Sequence, residues 1–190
     1  MMLVRSAHLL GGLAASVLCA GIAPAQQSNT AQARTTAIVA SFNKSKHVSK
    51  EKRGVRKEKY IVVRSEPAVK QNPAEYSGSY DALGLDGFSV QLTVDPSGKV
   101  YGGGREPLND DGTVARNFVL RDGWVTGAWV KARKVYSNGS AEPFEGVFIN
   151  KTVFESPTDK GHTAFGLGVV GKGFRVGGVD LERVFFQSRQ

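Results

Sequence analysis

The sequence is poor in the residues that most often carry chemistry or covalent reinforcement. Its single cysteine, Cys19, lies in the N-terminal apolar stretch, so the chain from Gln26 onward contains none. That excludes a disulfide framework, and the domain must hold together through its core. Thiolate metal centres, redox couples and cysteine nucleophiles are excluded with it. Histidine is nearly as scarce. His8 belongs to the N-terminal stretch, His47 to a basic run, and His162 alone to the C-terminal part. No histidine pair is spaced for a zinc site or a catalytic relay, so we expect no metal, no cofactor and no catalytic residues. Long hydrophobic runs are missing too, because the apolar stretch over residues 9–22 is shorter than the ~20 residues of a spanning helix.

What is present begins with an address. Arg5, the small and apolar residues 9–22, and Ala23-Pro24-Ala25 before Gln26-Gln27 form the n-region, h-region and A-x-A site of a secretory signal. We expect cleavage after Ala25 and export to a bacterial periplasm or exterior. Val17 and Leu18 precede Cys19 where a lipoprotein site wants small residues, which argues against a lipid anchor. In a bacterial setting the sequons at Asn138 and Asn150 are chance matches.

Residues 26–59 are expected to form a disordered tail, with a short amphipathic turn around Ile38, Val39 and Phe42. Its basic run is Lys44, Lys46, Lys50, Lys52, Arg53, Arg56, Lys57 and Lys59 against Glu51 and Glu58, a net +6 for that run alone. Residues 60–190 hold fifteen basic and fifteen acidic side chains, so the high pI belongs to the tail. Such a tail suits an anionic envelope surface or serves as a solvated linker. No aromatics are interleaved with the lysines to stack on bases, so nucleic acid is not an expected partner. Residues 60–74 read as a linker.

From residue 75 the alternation is that of strands. Phe88, Val90, Leu92 and Val94 alternate with Ser89, Gln91 and Thr93 before the turn Asp95-Pro-Ser-Gly98. Asp122-Gly123 lies between two further alternating runs and reads as a two-residue hairpin turn, with Leu120 facing Val125 and Phe118 facing Gly127. Strands at this spacing number about eight and leave no room for crossover helices. The expected fold is all-β, a small antiparallel up-and-down barrel over residues 75–190. Tyr76-Ser-Gly-Ser-Tyr80, followed by the hairpin over 88–104 and more up-and-down strands, resembles the calycin architecture of lipocalins and avidins. It lacks the lipocalin Gly-x-Trp in the first strand, and the polar biotin-contacting set of avidins does not map onto it. The resemblance implies a barrel and leaves the ligand open.

Gly166-Leu-Gly-Val-Val-Gly171 spells G-x-G-x-x-G, but no helix follows to receive a phosphate, so it reads as a glycine-rich strand and turn. Carboxylates such as Glu106 and Glu142 are plentiful and mostly fall in turns; a pair meeting in space would be needed for acid–base work. Tyr101, Phe118, Trp124, Trp129 and Phe165 are the candidates to line a cavity, although core filling is the common fate of such residues. The expected function is that of an exported, non-catalytic barrel that takes a small apolar or amphipathic molecule in its mouth. The alternatives are an interaction module, such as an inhibitor of an exported hydrolase acting through loops 107–112 and 156–161, and an outer-membrane barrel. Oligomeric state is left open.

Overall fold

The computed structural model describes residues 24–52, 55–109, 113–176 and 179–189, so residues 1–23 of the expected 25-residue leader lie outside the described residues. The elements are α1 (Pro24–Phe42), β1 (Lys44–Lys52), β2 (Val55–Pro67), a 3-10 turn (Pro73–Tyr76), β3 (Gly78–Ala82), β4 (Ser89–Val94), β5 (Lys99–Pro107), β6 (Ala115–Thr126), β7 (Trp129–Tyr136), β8 (Ala141–Phe154), β9 (His162–Val176) and β10 (Val179–Ser188). From β3 to β10 each strand pairs antiparallel with the next, and β10 returns to β3 through Phe186↔Ala82 and Ser188↔Tyr80. Arg189 seals the seam by donating its N–H to the Ser79 carbonyl at 2.9 Å and its guanidinium to Asp81. This is a closed eight-stranded meander, the expected fold, in an outline compatible with that of calycin barrels.

The opening hairpin forms as its alternation dictates. Val90, Leu92 and Val94 are buried, while Gln91 and Thr93 face out. In the turn the Asp95 carboxylate accepts from the Ser97 N–H (2.9 Å), the Ser97 hydroxyl (2.6 Å) and the Lys99 N–H (3.0 Å). Gly98 supplies the positive φ of 92° that closes it. The hydroxyl of Ser97, helped by the two amides, holds the Asp95 carboxyl below its ordinary value.

Asp122-Gly123 is not a turn. β6 runs straight through it, and the register slips between Arg121 and Trp124 in a β-bulge, with Asp122 at φ 54°. Arg121 and Asp122 both face out, so the inward phase passes from Phe118 and Leu120 to Gly123 and Val125. The hairpin turn lies five residues later, at Gly127-Ala128 between Thr126 and Trp129. Phe118 therefore pairs with Tyr136, and Leu120 with Lys134. The bulge wins because it lets one twelve-residue strand bury apolar side chains on both sides of the slip.

Of residues 26–59, expected as a disordered tail, the described ones lie almost wholly in α1 and the β1–β2 hairpin. Ala31, Ile38 and Val39 recur at helical spacing and are buried against the outer face of the barrel. Phe42 comes so close to β9 that a Cβ on Gly168 would lie 2.7 Å from its ring, so this glycine admits the helix. The expected linker over 60–74 carries the end of β2, whose Val62–Pro67 pair with Phe154–Ile149 of β8.

The core sits inside the barrel. At one end Tyr76 stacks on Phe148 with ring centroids 4.1 Å apart, and Tyr80 and Phe165 flank the stack. The Tyr76 hydroxyl donates to the carbonyls of Ala68 (2.8 Å) and Gly127 (3.0 Å) and accepts from the Lys70 N–H (2.8 Å). Burial, the larger effect, raises its pKa above the usual value. Replacing Phe148 by Ala removes the partner of three aromatic rings, and chemical denaturation is expected to show a loss of about 3–5 kcal/mol with an unchanged slope.

Candidate functional site

A hollow calyx is not what the interior offers. From the Tyr76–Phe148 end inward it is filled by Val90, Leu92, Val130, Leu167, Phe186 and Phe88, all buried. Phe88 and Phe186 meet edge to face at 4.7 Å. The outer face of β4 and β5 carries Ser89, Gln91, Thr93 and Arg105 beside the exposed Tyr101. No helix among the described residues is long and apolar enough to cross a membrane.

The other end is closed by a polar plug. Lys134, 2% exposed, places its ammonium 3.0 Å from Glu106 Oε1 and 3.1 Å from Glu142 Oε2. The Tyr136 hydroxyl bridges the same two carboxylates at 2.8 Å each. Arg116 adds Nε to Glu106 at 3.1 Å and a longer contact to Glu142 at 3.4 Å, and its guanidinium lies 3.9 Å over the Tyr136 ring. Two carboxylates thus face two cations, the condition under which buried charge is tolerated. Burial, reinforced by the Glu106 and Glu142 carboxylates, pushes the Tyr136 phenol far above its ordinary value. Burial acts to raise the Glu142 carboxyl, but the Tyr136 hydroxyl, Lys134 and Arg116 outweigh it and hold the group below 4.5. The carboxylates Glu106 and Glu142 do meet in space, yet each is committed to a cation and to the same phenol.

The concave feature with aromatic walls is on the outside. A groove of about 700 Å³ is lined by Thr30 of α1, Asp122, Trp124, Thr126, Trp129, Lys131 and Arg133. Trp124 pairs with Lys131, and Trp129 with Thr126, so the two indoles are diagonal neighbours on one outer face. Trp124 is 52% exposed, an unusual state for the largest apolar side chain. Trp129 is half-buried and fixed: its Nε1–H donates to Glu145 Oε1 at 2.9 Å, and Arg34 of α1 pairs with the same carboxylate. Arg34 first, then the Trp129 N–H, hold the Glu145 carboxyl below its ordinary value against the opposing effect of burial. Arg133 pairs with Asp122 at 2.9 Å along the rim.

Of the five aromatics expected to share a cavity, the structure brings two together. Trp124 and Trp129 share the groove. Phe118 is buried in the interior beside Tyr136, and Phe165 packs at the opposite end against Phe148 and Tyr80. Tyr101 is 46% exposed on the outer face of β5, under the Lys99 ammonium. The turn at Gly127-Ala128 is the reason for the correction at Trp129, because Val130 takes the inward phase of β7 and the indole beside it faces out. The basic residues of the expected tail fall on β1 and β2, except Arg53, which lies outside the described residues. Sequence reasoning missed Glu145, Arg34 and the plug residues Lys134 and Tyr136. The inward phase of β7, Val130-x-Ala-x-Lys-x-Tyr136, is the signal that marks Lys134 as buried. No family model matches the chain, and neither a curated protein nor a solved structure does.

Two outcomes test the plug. Lys134→Met leaves the buried Glu106 carboxylate without its ammonium partner, held by Arg116 and Tyr136 alone among the plug residues, and is expected to cost about 3–5 kcal/mol, most of it restored when Glu106→Gln is added. A carboxyl held below its unfolded value stabilises above that value and loses the contribution as pH falls through the folded one. Stability measured by denaturation should therefore fall as pH drops below 4.5, less steeply in Glu142→Gln.

Proposed function

We propose that the chain is an exported, non-catalytic binding protein whose ligand lies in the tryptophan groove outside the barrel. The observation that carries the reading is an indole half open to solvent, set diagonally to a second indole that is locked by Glu145 and Arg34. Exposing a tryptophan forfeits burial that the core would have rewarded, and a concave aromatic wall with a few polar groups is how small-molecule sites are built. The ligand that fits is small and amphipathic. Its flat apolar face lies on the indole of Trp124, and its polar edge meets Lys131, Arg133 and Asp122 on the rim. The filled interior argues against a ligand in the barrel mouth.

A second reading, a module that engages an exported hydrolase, is favoured by one feature. Leu108 and Val114 stand exposed on either side of the loop over 109–113. Exposed aliphatic side chains at a loop are what a partner surface would cover.

The chain contains two tryptophans, and both stand in the groove, so its emission reports on that site alone. Native mass spectrometry of protein isolated from its host envelope is expected to show a co-purifying small molecule. Titrating that molecule into the stripped protein should shift the emission. Trp124→Ala should weaken binding at least about tenfold with no loss of fold. A bare mass, with emission indifferent to envelope extracts, would remove this reading and leave the partner surface.

A further inference from the structure

The β1–β2 hairpin leaves the barrel. Only Val62–Pro67 of β2 pair with β8, and the rest of β2 pairs with β1 alone, from Ile61↔Lys46 to Val55↔Lys52. Directly opposed residues in an antiparallel ladder share a face, as do residues two apart along each strand. Register therefore sorts the arm. Lys44, Lys46, Lys50, Lys52, Lys57 and Lys59 all occupy positions on one face. Val48, Val55, Ile61 and Val63 occupy the remaining positions of that face, while Glu51 and Glu58 fall on the other. Six lysines interleaved with aliphatic residues, without an acid among them, is a cationic and apolar face.

The same face runs on into a cavity at the base of the arm. Val63 pairs with Val153 of β8, and Ser65 with Lys151, which puts Lys44, Val63 and Lys151 on the side where α1 lies. A cavity of about 390 Å³ opens there, walled by Phe42, Leu83, Leu85 and Phe185 and edged by Lys44, Lys151 and Arg183. No carboxylate lines it among the described residues. Leu83 is exposed at its lip. The Lys151 ammonium stands 4.7 Å over the Phe185 ring, and burial lowers its pKa from the usual value. Arg183 donates to the Ser41 carbonyl at 2.6 Å, which leaves its charge uncompensated by that bond. Three cations over an apolar floor match an anionic headgroup with hydrocarbon beneath it.

We propose that this face docks on an anionic phospholipid bilayer, with the lysine side of the arm on the headgroups and one headgroup seated between Lys44, Lys151 and Arg183. Charge complementarity alone would serve any polyanion. The valine and isoleucine positions between the lysines, with Leu83 and Phe42 at the cavity, favour a surface that also offers hydrocarbon. Docking lies apart from the tryptophan groove, which is at the other end of α1.

The test is vesicle flotation with the mature chain, comparing phosphatidylcholine vesicles with vesicles that also contain phosphatidylglycerol. Binding is expected only to the second kind and should weaken as salt rises. Each arm Lys→Gln should cost about fivefold in partition, and replacing all six should abolish it. Lys151→Gln and Val63→Ser should each weaken binding, the latter without changing the salt dependence. Circular dichroism and melting of the six-lysine variant should match the parent, since the arm is outside the barrel. Equal binding to both vesicles, full binding by the six-lysine variant, or preference for soluble heparin over the vesicles would overturn the proposal.

Discussion

The structure depends on what happens to the backbone of Phe148. Its N–H donates to the Ala128 carbonyl at 2.8 Å, and its carbonyl accepts from the Ala68 N–H at 2.9 Å. One edge of β8 is thereby divided: β7 takes it before this residue, and β2 takes it after. The other edge belongs to β9 across both halves. A buried backbone group without a partner is costly, so a strand longer than its neighbour must find a second one. β8 is fourteen residues long against eight in β7, and the excess recruits β2. The same residue sends its ring into the stack with Tyr76, so the branch in the sheet and the stopper in the barrel are one feature.

Filling the barrel has a functional consequence. The cross-section of an eight-stranded barrel suits either side chains or one small ligand. Here aromatics occupy one end, a neutralised ionic plug the other, and aliphatic layers the space between. The proposed recognition therefore lies on the surface. The outer face is not uniform: α1 covers part of it, and its two ends border two concavities of different character. The N-terminal half, with Thr30 and Arg34, borders the tryptophans, and the C-terminal end at Ser41 and Phe42 borders the cationic cavity. A helix that would be a minor addition to a hollow barrel becomes, on a filled one, the element that shapes both.

The plug shows how charge and fold are coupled. Arg116 and Glu142 are at the rim, while Lys134 and Glu106 are interior, so the network grades from water into the core. Each donor has an acceptor, and Tyr136 joins the two carboxylates from below. Removing one member leaves the others charged and buried, which is why single changes there cost more than paired ones.

The barrel was legible in the amino-acid pattern. Period-two alternation from Phe88 onward, turn residues at Asp95-Pro-Ser-Gly98 and the absence of room for helices left a meander that closes on itself, since alternation is a local property that burial enforces on every strand. That pattern did not determine which way each aromatic points. Asp-Gly has the chemistry of a turn and of a bulge alike, and only the pairing partners β5 and β7 decide, through the length of strand they can cover; that choice moved the turn to Gly127-Ala128 and put Trp129 on the outer face. Nor did it reveal that Glu106 would meet Glu142 across Lys134 and Tyr136, because those residues are brought together by register between three strands. The lysines of residues 44–59 read as a flexible run, suited to an anionic surface or serving as a solvated linker, since spacing in sequence does not say which strand opposes them. Pairing with β8 at Val62–Pro67 anchors the hairpin, and the antiparallel register then sets all six lysines on one face. Composition settled the charge, and tertiary pairing settled which face its positions share.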